Sequence, residues 1–170
     1  SFTHPLQQWL LTVFENPIEK TLSIKALNEA YERLAGYSDA AGSDKVFQHA
    51  LASLRVSYDI APEDAAKIPV TGPLVVVANH PFGGLEGLVL SDIILNTRPD
   101  VRVLGNYLLQ HMAQLREWVI PVDPFGDKAA ALANARGIKH CVRWVKYGGA
   151  LVTFPAGEVA HLDWARRQIT

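Results

Sequence analysis

The sequence predicts an α/β fold: a mainly parallel sheet flanked by helices, with an N-terminal helical cap. Three observations carry that expectation. The runs "LVVVA" (74–78), "VRVLG" (101–105), "WVIPV" (118–122) and "ALVTF" (150–154) have the continuous apolar character of strands buried on both faces of a parallel sheet. Longer segments separate them, and alternating β and α units are the pattern of an α/β domain. Residues 1–60 carry helical spacing and none of the strand pattern.

Taken in order, "PLQQWLLTVF" (5–14) is a short apolar helix, first a core or docking element and second a membrane-interface anchor. "TLSIKALNEAYERLAGY" spaces Leu27, Tyr31 and Leu34 along one helical face before Gly36, and "SDKVFQHALASLRV" opens on a Ser-Asp cap signal and repeats Phe47, Leu51 and Leu54. These make residues 1–60 an N-terminal helical segment. "APEDAAKIPVTGP" (61–73) is Pro-rich and polar and reads as a linker. Residues 74–170 form the α/β core, in which "LEGLVLSDIILN" is the first crossover helix. "YLLQHMAQLRE" and "DKAAALANARGIKHCVRWVKYGG" connect the later strands. In the second, Ile138, Cys141 or Val142, and Val145 mark the inward face, and Gly148-Gly149 end the helix.

Composition narrows the function. With 170 residues, 49% of them apolar and 19% charged, the chain can bury a real core, which excludes disordered and fibrous classes. A formal net charge of -1 supplies no field for a polyanion, so nucleic acid is not an expected partner. The single Cys141 excludes an intramolecular disulfide and fits a reducing, cytoplasmic compartment. "GLVLSDIILNTRPD", interrupted by Asp92 and closed by Arg98-Pro99, falls short of a spanning helix. The opening "SFTHP" lacks the basic start of a signal peptide.

In open α/β sheets ligands bind outside the carboxyl ends of the strands. That rule gathers two loops at one edge, "NHPFGGLE" after the first strand and "FPAGEVAH" after the last. His80 titrates near neutral pH and suits a general base. Glu86 is near enough along the chain to hold one imidazole nitrogen in a fixed tautomer and to stabilise the imidazolium, through a contact expected at hydrogen-bond length. No G-x-S-x-G elbow is present and Cys141 lies within a helix, so the base is expected to activate an external hydroxyl or amine. Gly83 and Gly84 allow backbone N–H groups to approach a developing oxyanion. Structural roles compete with these: His80 as a capping residue, Glu86 as a helix-start acid, Glu158 as a cap for a following helix. His4, His49, His111, His140 and His161 show no paired ligand spacing, and no metal site is expected.

"NHPFGGLEG", followed about seventy residues later by "GGALVTFPAGEVAH", resembles the lysophospholipid acyltransferase superfamily of glycerolipid acyltransferases, whose motifs read roughly N-H-x-x-x-x-D and F-P-E-G-T-R-S. The form is most similar to its bacterial hemolysin-like branch, related to the ornithine-lipid acyltransferases. The resemblance covers residues 70–161 and implies further strands after Thr170, so that the core is truncated at its C-terminus. It implies His80 as base and Glu86 as its orienting acid, although Glu86 stands one residue further along and is one methylene longer than the family's aspartate. Asn79, Pro81, Phe82, Gly83, Gly84, Phe154, Pro155, Gly157 and Glu158 become the candidate substrate-binding set. Ala156, Glu158 and Val159 stand where the family has Glu, Thr and Arg, so the arginine credited with holding an acceptor phosphate is missing.

The resemblance implies an acyltransferase that needs no bound cofactor, takes acyl-CoA or acyl carrier protein (acyl-ACP) as co-substrate, and acts on a lipid-like acceptor at the cytoplasmic, inner face of the cell membrane. Two rival classes are a non-catalytic lipid-binding module of the same fold and a hydrolase using the His-Glu pair on water. Transfer that requires an acceptor separates the first class from the hydrolase, and binding without turnover marks the module.

Overall fold

Two long crossovers decide the architecture. In the computed structural model, which describes residues 43–80, 84–123, 128–156, 162–163 and 168–169, strands β1 (Leu74–Val77), β2 (Val101–Asn106), β3 (Val119–Val122) and β4 (Ala150–Thr153) form one sheet in the order β1-β4-β2-β3. All neighbours are parallel, with Leu74 opposite Ala150, Val101 opposite Ala150, and Val103 opposite Val119. Helix α1 (Val46–Ser53) and the single turn α2 (Pro62–Ala65) precede the sheet, while α3 (Gly84–Leu95) and α4 (Lys128–Lys146) connect its strands. The expected helices over 5–14 and 21–37 lie outside the described residues, as does most of the expected cap. Two-residue strands β5 (Leu162–Asp163) and β6 (Gln168–Ile169) pair antiparallel beyond the main sheet.

The path from β1 to β2 crosses the sheet in one direction and the path from β3 to β4 returns. Crossovers of the same right-handed sense then place their helices on opposite faces, and the packing follows. On one face Ile94 of α3 and Val46 and Phe47 of α1 cover Val101, Val103, Val119, Ala150 and Val152, with the Phe47 ring edge-on to Trp118 at 5.4 Å. On the other, Cys141 and Val145 of α4 cover Leu104, Ile120 and Leu151. Burial of this kind stabilises by about 1.5–3 kcal/mol for each large apolar side chain.

Helix α4 turns Cys141 and Val145 inward as expected, but not Ile138. Asn134, Gly137, Cys141, Trp144 and Val145 point to the protein, whereas Ile138 and Val142 are exposed. The reason is close approach. A Cβ at Gly137 would lie 2.6 Å from the Pro121 carbonyl oxygen, so the helix packs backbone to backbone there, and a count of apolar residues gives glycine no inward weight. The helix ends as expected at Gly148, φ +97°, where Gly148 N donates to Val145 O and Gly149 N to Trp144 O, the paired bonds of a Schellman motif.

A buried cation fastens the amino ends of the strands. Arg98, 2% exposed, donates Nε and Nη2 to the two Asp100 carboxylate oxygens at 2.6 and 2.8 Å, and its remaining N–H groups reach the carbonyls of Pro69, Gly72 and Gly148. Gly72 leads into β1, Asp100 into β2 and Gly148 into β4, so one guanidinium ties three strand entries. Hydrogen bonding to Arg98 holds the Asp100 carboxyl below the usual carboxylate range. Trp144 adds a second tie, its Nε1 donating to the carbonyls of Asp100 and Ala150, while the Arg102 guanidinium sits 4.5 Å from its ring. On the α3 side, Tyr58 Oη donates to Asp92 at 2.6 Å, and burial together with that carboxylate pushes the phenol up to about 12.

Candidate active site

Because every strand of the main sheet runs the same way, the carboxyl end of β1 and that of β4 lie side by side, with Val77 opposite Thr153. The chain leaves β1 through Ala78 and the exposed Asn79 to His80, and leaves β4 directly into Phe154. The two rings stack, centroids 4.3 Å apart and planes 27° from parallel. Gly84 then opens α3, placing Glu86 in its first turn, where the helix dipole favours a carboxylate. Its return toward β1 brings Glu86 Oε2 to 3.6 Å from His80 Nδ1.

That separation is longer than the expected hydrogen bond. Helix placement explains it: Glu86 is fixed by α3, not by the loop, and its position one residue beyond the family's aspartate carries it part of a turn further round. The contact is an ion-pair distance. Both side chains are about four-fifths buried, 20% and 18% exposed. His80 Nδ1 is buried and has no hydrogen-bond partner among the described residues. Burial depresses the imidazole below its ordinary value, and the Glu86 charge offsets part of that depression. At neutral pH His80 is therefore uncharged and able to accept a proton. With Nδ1 turned toward Glu86, Nε2 is the nitrogen left to act.

Of the remaining residues expected at the site, Asn79 and Pro155 are exposed beside this pair and Gly84 starts the helix. Pro81, Phe82, Gly83, Gly157 and Glu158, together with Val159, lie outside the described residues. Phe154, expected to contact substrate, stacks on the imidazole and forms a wall beside it. The adjacency that gives it this place comes from β4 pairing with β1, which no local pattern announces. A second feature of the same edge also went unread. Asn134 of α4 accepts from Asp123 N and donates to Asp123 O, both at 2.7 Å, and fixes the exit of β3 to the helix that follows. Among the described residues no three His, Cys, Asp or Glu side chains gather as a metal ion would require, and no helix is long and apolar enough to cross a membrane.

Comparison with known proteins gives this arrangement its context. Residues 43–164, from the start of α1 past the loop after β4, match the family model described as Acyltransferase. The chain belongs to this acyltransferase family. The family match thus spans both loops read as motifs, and the expectation of an acyltransferase drawn from them stands. The chain is also similar to a lyso-glycine lipid O-acyltransferase of Phocaeicola vulgatus, with 28% identity over 116 residues, covering 61% of this chain and 38% of that protein. It therefore spans well under half the length of that relative. No solved structure matches the chain.

Proposed function

We propose that this acyltransferase domain moves a fatty acyl group from a thioester donor, acyl-CoA or acyl-ACP, to the hydroxyl of a lyso-lipid whose head group lacks phosphate, in the manner of the amino-acid lipids of the hemolysin-like branch. The juxtaposition of His80 and Glu86 at the carboxyl edge of the sheet, inside the family match, carries this reading. Neutral His80 accepts the hydroxyl proton at Nε2 as the acceptor oxygen forms its bond to the thioester carbon. Glu86 stabilises the imidazolium at Nδ1. The tetrahedral oxyanion collapses, the carbon–sulfur bond breaks, and the imidazolium returns its proton to the departing thiolate. Neither a protein nucleophile nor a bound cofactor enters this sequence.

The acceptor class rests on Val159 and on the relative. An arginine gives a phosphate charge-assisted, often bidentate hydrogen bonds, and an apolar side chain in that sequence position offers none. The related protein is named for a lyso-glycine lipid. On this reading the work takes place at the cytoplasmic face of the membrane, with the protein held peripherally.

The test is a side-by-side acceptor assay with acyl-CoA and with acyl-ACP. Acylation of a lyso-glycine lipid is expected to exceed that of lysophosphatidic acid and glycerol 3-phosphate, and to vanish in His80→Ala. Efficient use of lysophosphatidic acid would remove the acceptor assignment. Fatty-acid release without any acceptor would replace transfer with hydrolysis.

A further inference from the structure

Helix α4 has an outer face that its structural role does not explain. Its inward residues hold it to the sheet, and a helix so placed needs only a polar outer surface. Instead Leu132, Ile138 and Val142 stand outward, 72%, 48% and 62% exposed. Interleaved with them are Arg136, Lys139, Arg143 and Lys146, all exposed, and the helix contains no acidic residue. In a chain of net charge -1 this is a local excess of positive charge. Arg143 and Lys146 in the last turn complement the helix dipole, but Arg136 and Lys139 lie mid-helix, where the dipole gives nothing.

We infer that the outer face of α4 is a docking surface for an anionic lipid bilayer. From Leu132 to Lys146 this exposed surface extends about 21 Å along the axis at the rise of an α-helix, with the basic residues and Leu132 at its centre and Ile138 and Val142 on one flank. Basic side chains meet lipid phosphates while their stems and the three apolar side chains enter the acyl boundary. An acidic protein such as an acyl carrier would also answer the charge, but it has less need of apolar contacts spread over about three turns. Position agrees with a lipid surface. The helix starts at the exit of β3, latched there by Asn134 to Asp123, and so begins at the sheet edge that carries His80. A helix lying on the bilayer holds the whole sheet alongside the lipid, the His80 edge included.

The inference rests on the lipid-acceptor reading for its purpose, but its test does not. Flotation of the full chain with vesicles requires neither donor nor acceptor. Binding to phosphatidylcholine vesicles containing phosphatidylglycerol is expected to exceed binding to phosphatidylcholine alone and to weaken with salt. Since each basic residue at an anionic surface contributes about fivefold in affinity, Lys139→Glu with Arg143→Glu should lower it about 25-fold or more. Leu132→Ser with Val142→Ser keeps the charge and should still weaken binding severalfold. All four positions are exposed, so unchanged thermal unfolding is expected to accompany each loss. Equal binding to neutral vesicles, full binding by the charge-reversed variant, or indifference to the serine pair would overturn the assignment. So would a charge-reversed variant that still floats but loses transfer from acyl-ACP alone, which would give the face to a carrier protein. If flotation follows the expected pattern while no acyl transfer is found, the docking surface stands and the catalytic reading falls.

Discussion

The two ends of the sheet are built on opposite terms. At the amino end, five N–H groups of Arg98 and Trp144 find acceptors, and one guanidinium joins the entries of three strands. At the carboxyl end, the buried His80 Nδ1 has no hydrogen-bond partner among the described residues and faces a carboxylate 3.6 Å away. A satisfied buried network rigidifies, whereas a buried polar atom lacking a hydrogen bond leaves a desolvation cost in place. Stability is thus concentrated at one edge, and the candidate catalytic pair lies at the other. The parallel arrangement makes the separation possible, because all strands begin at one edge and all end at the other.

The comparison breaks if substitution at one end has the consequence assigned to the other. The largest effect should come from His80→Ala, with kcat/KM down about 100- to 10,000-fold as a general base is lost and the unfolding midpoint in urea little changed. A large loss of stability there would mean that the imidazole is a structural group. Arg98→Ala should do the reverse, costing about 3–5 kcal/mol through an unpaired buried acceptor set and an orphaned Asp100, measured by urea unfolding, while the kcat of whatever remains folded stays near normal. Gly137→Ala, which sets a methyl against the Pro121 carbonyl, should cost about 1–3 kcal/mol as overpacking, again without touching the chemistry.

Smaller and sharper are two shifts in the acid limb of the kcat/KM profile, which reports His80 in the free enzyme. Glu86 raises the imidazole value, so Glu86→Gln should lower it further and move the limb to lower pH, with a reduced plateau. Burial lowers it, so Phe154→Ala, by admitting water, should move the limb up toward the ordinary histidine value. The two substitutions are expected to act with opposite signs. A common direction would show that packing alone governs the site.

Much of this architecture was legible in the residues. The four apolar runs became β1 to β4 within one or two residues, because strands of a parallel sheet covered by helices leave little place for polar side chains. The run at β1 was overread. Val75 and Val77 are 49% and 62% exposed, since β1 is an edge strand and α4 packs over the β3 side of that face. "YLLQHMAQLRE" lacks a regular α-helix; Tyr107–His111 is a 3₁₀ turn, and Leu109, Met112 and Leu115 pack inward at the three-residue spacing that 3₁₀ geometry eclipses. At the site, residue types named His80 and Glu86. The Phe154 wall and the Asn134 latch depend on strand order, which is settled by contacts between segments far apart in the chain.

Strand order also sets a timetable. β1 takes its only sheet neighbour from β4, the last strand of the main sheet to leave the ribosome, and β2 gains its second neighbour at the same moment. At ordinary elongation rates Leu74 waits about 4–15 s for Ala150, with its edge and its valines open to solvent throughout. Parallel pairing at such sequence separation is slow to nucleate. The nascent chain is consequently a natural client for holdase chaperones, and its yield in a cell should depend on their supply more steeply than the stability of the finished sheet would suggest.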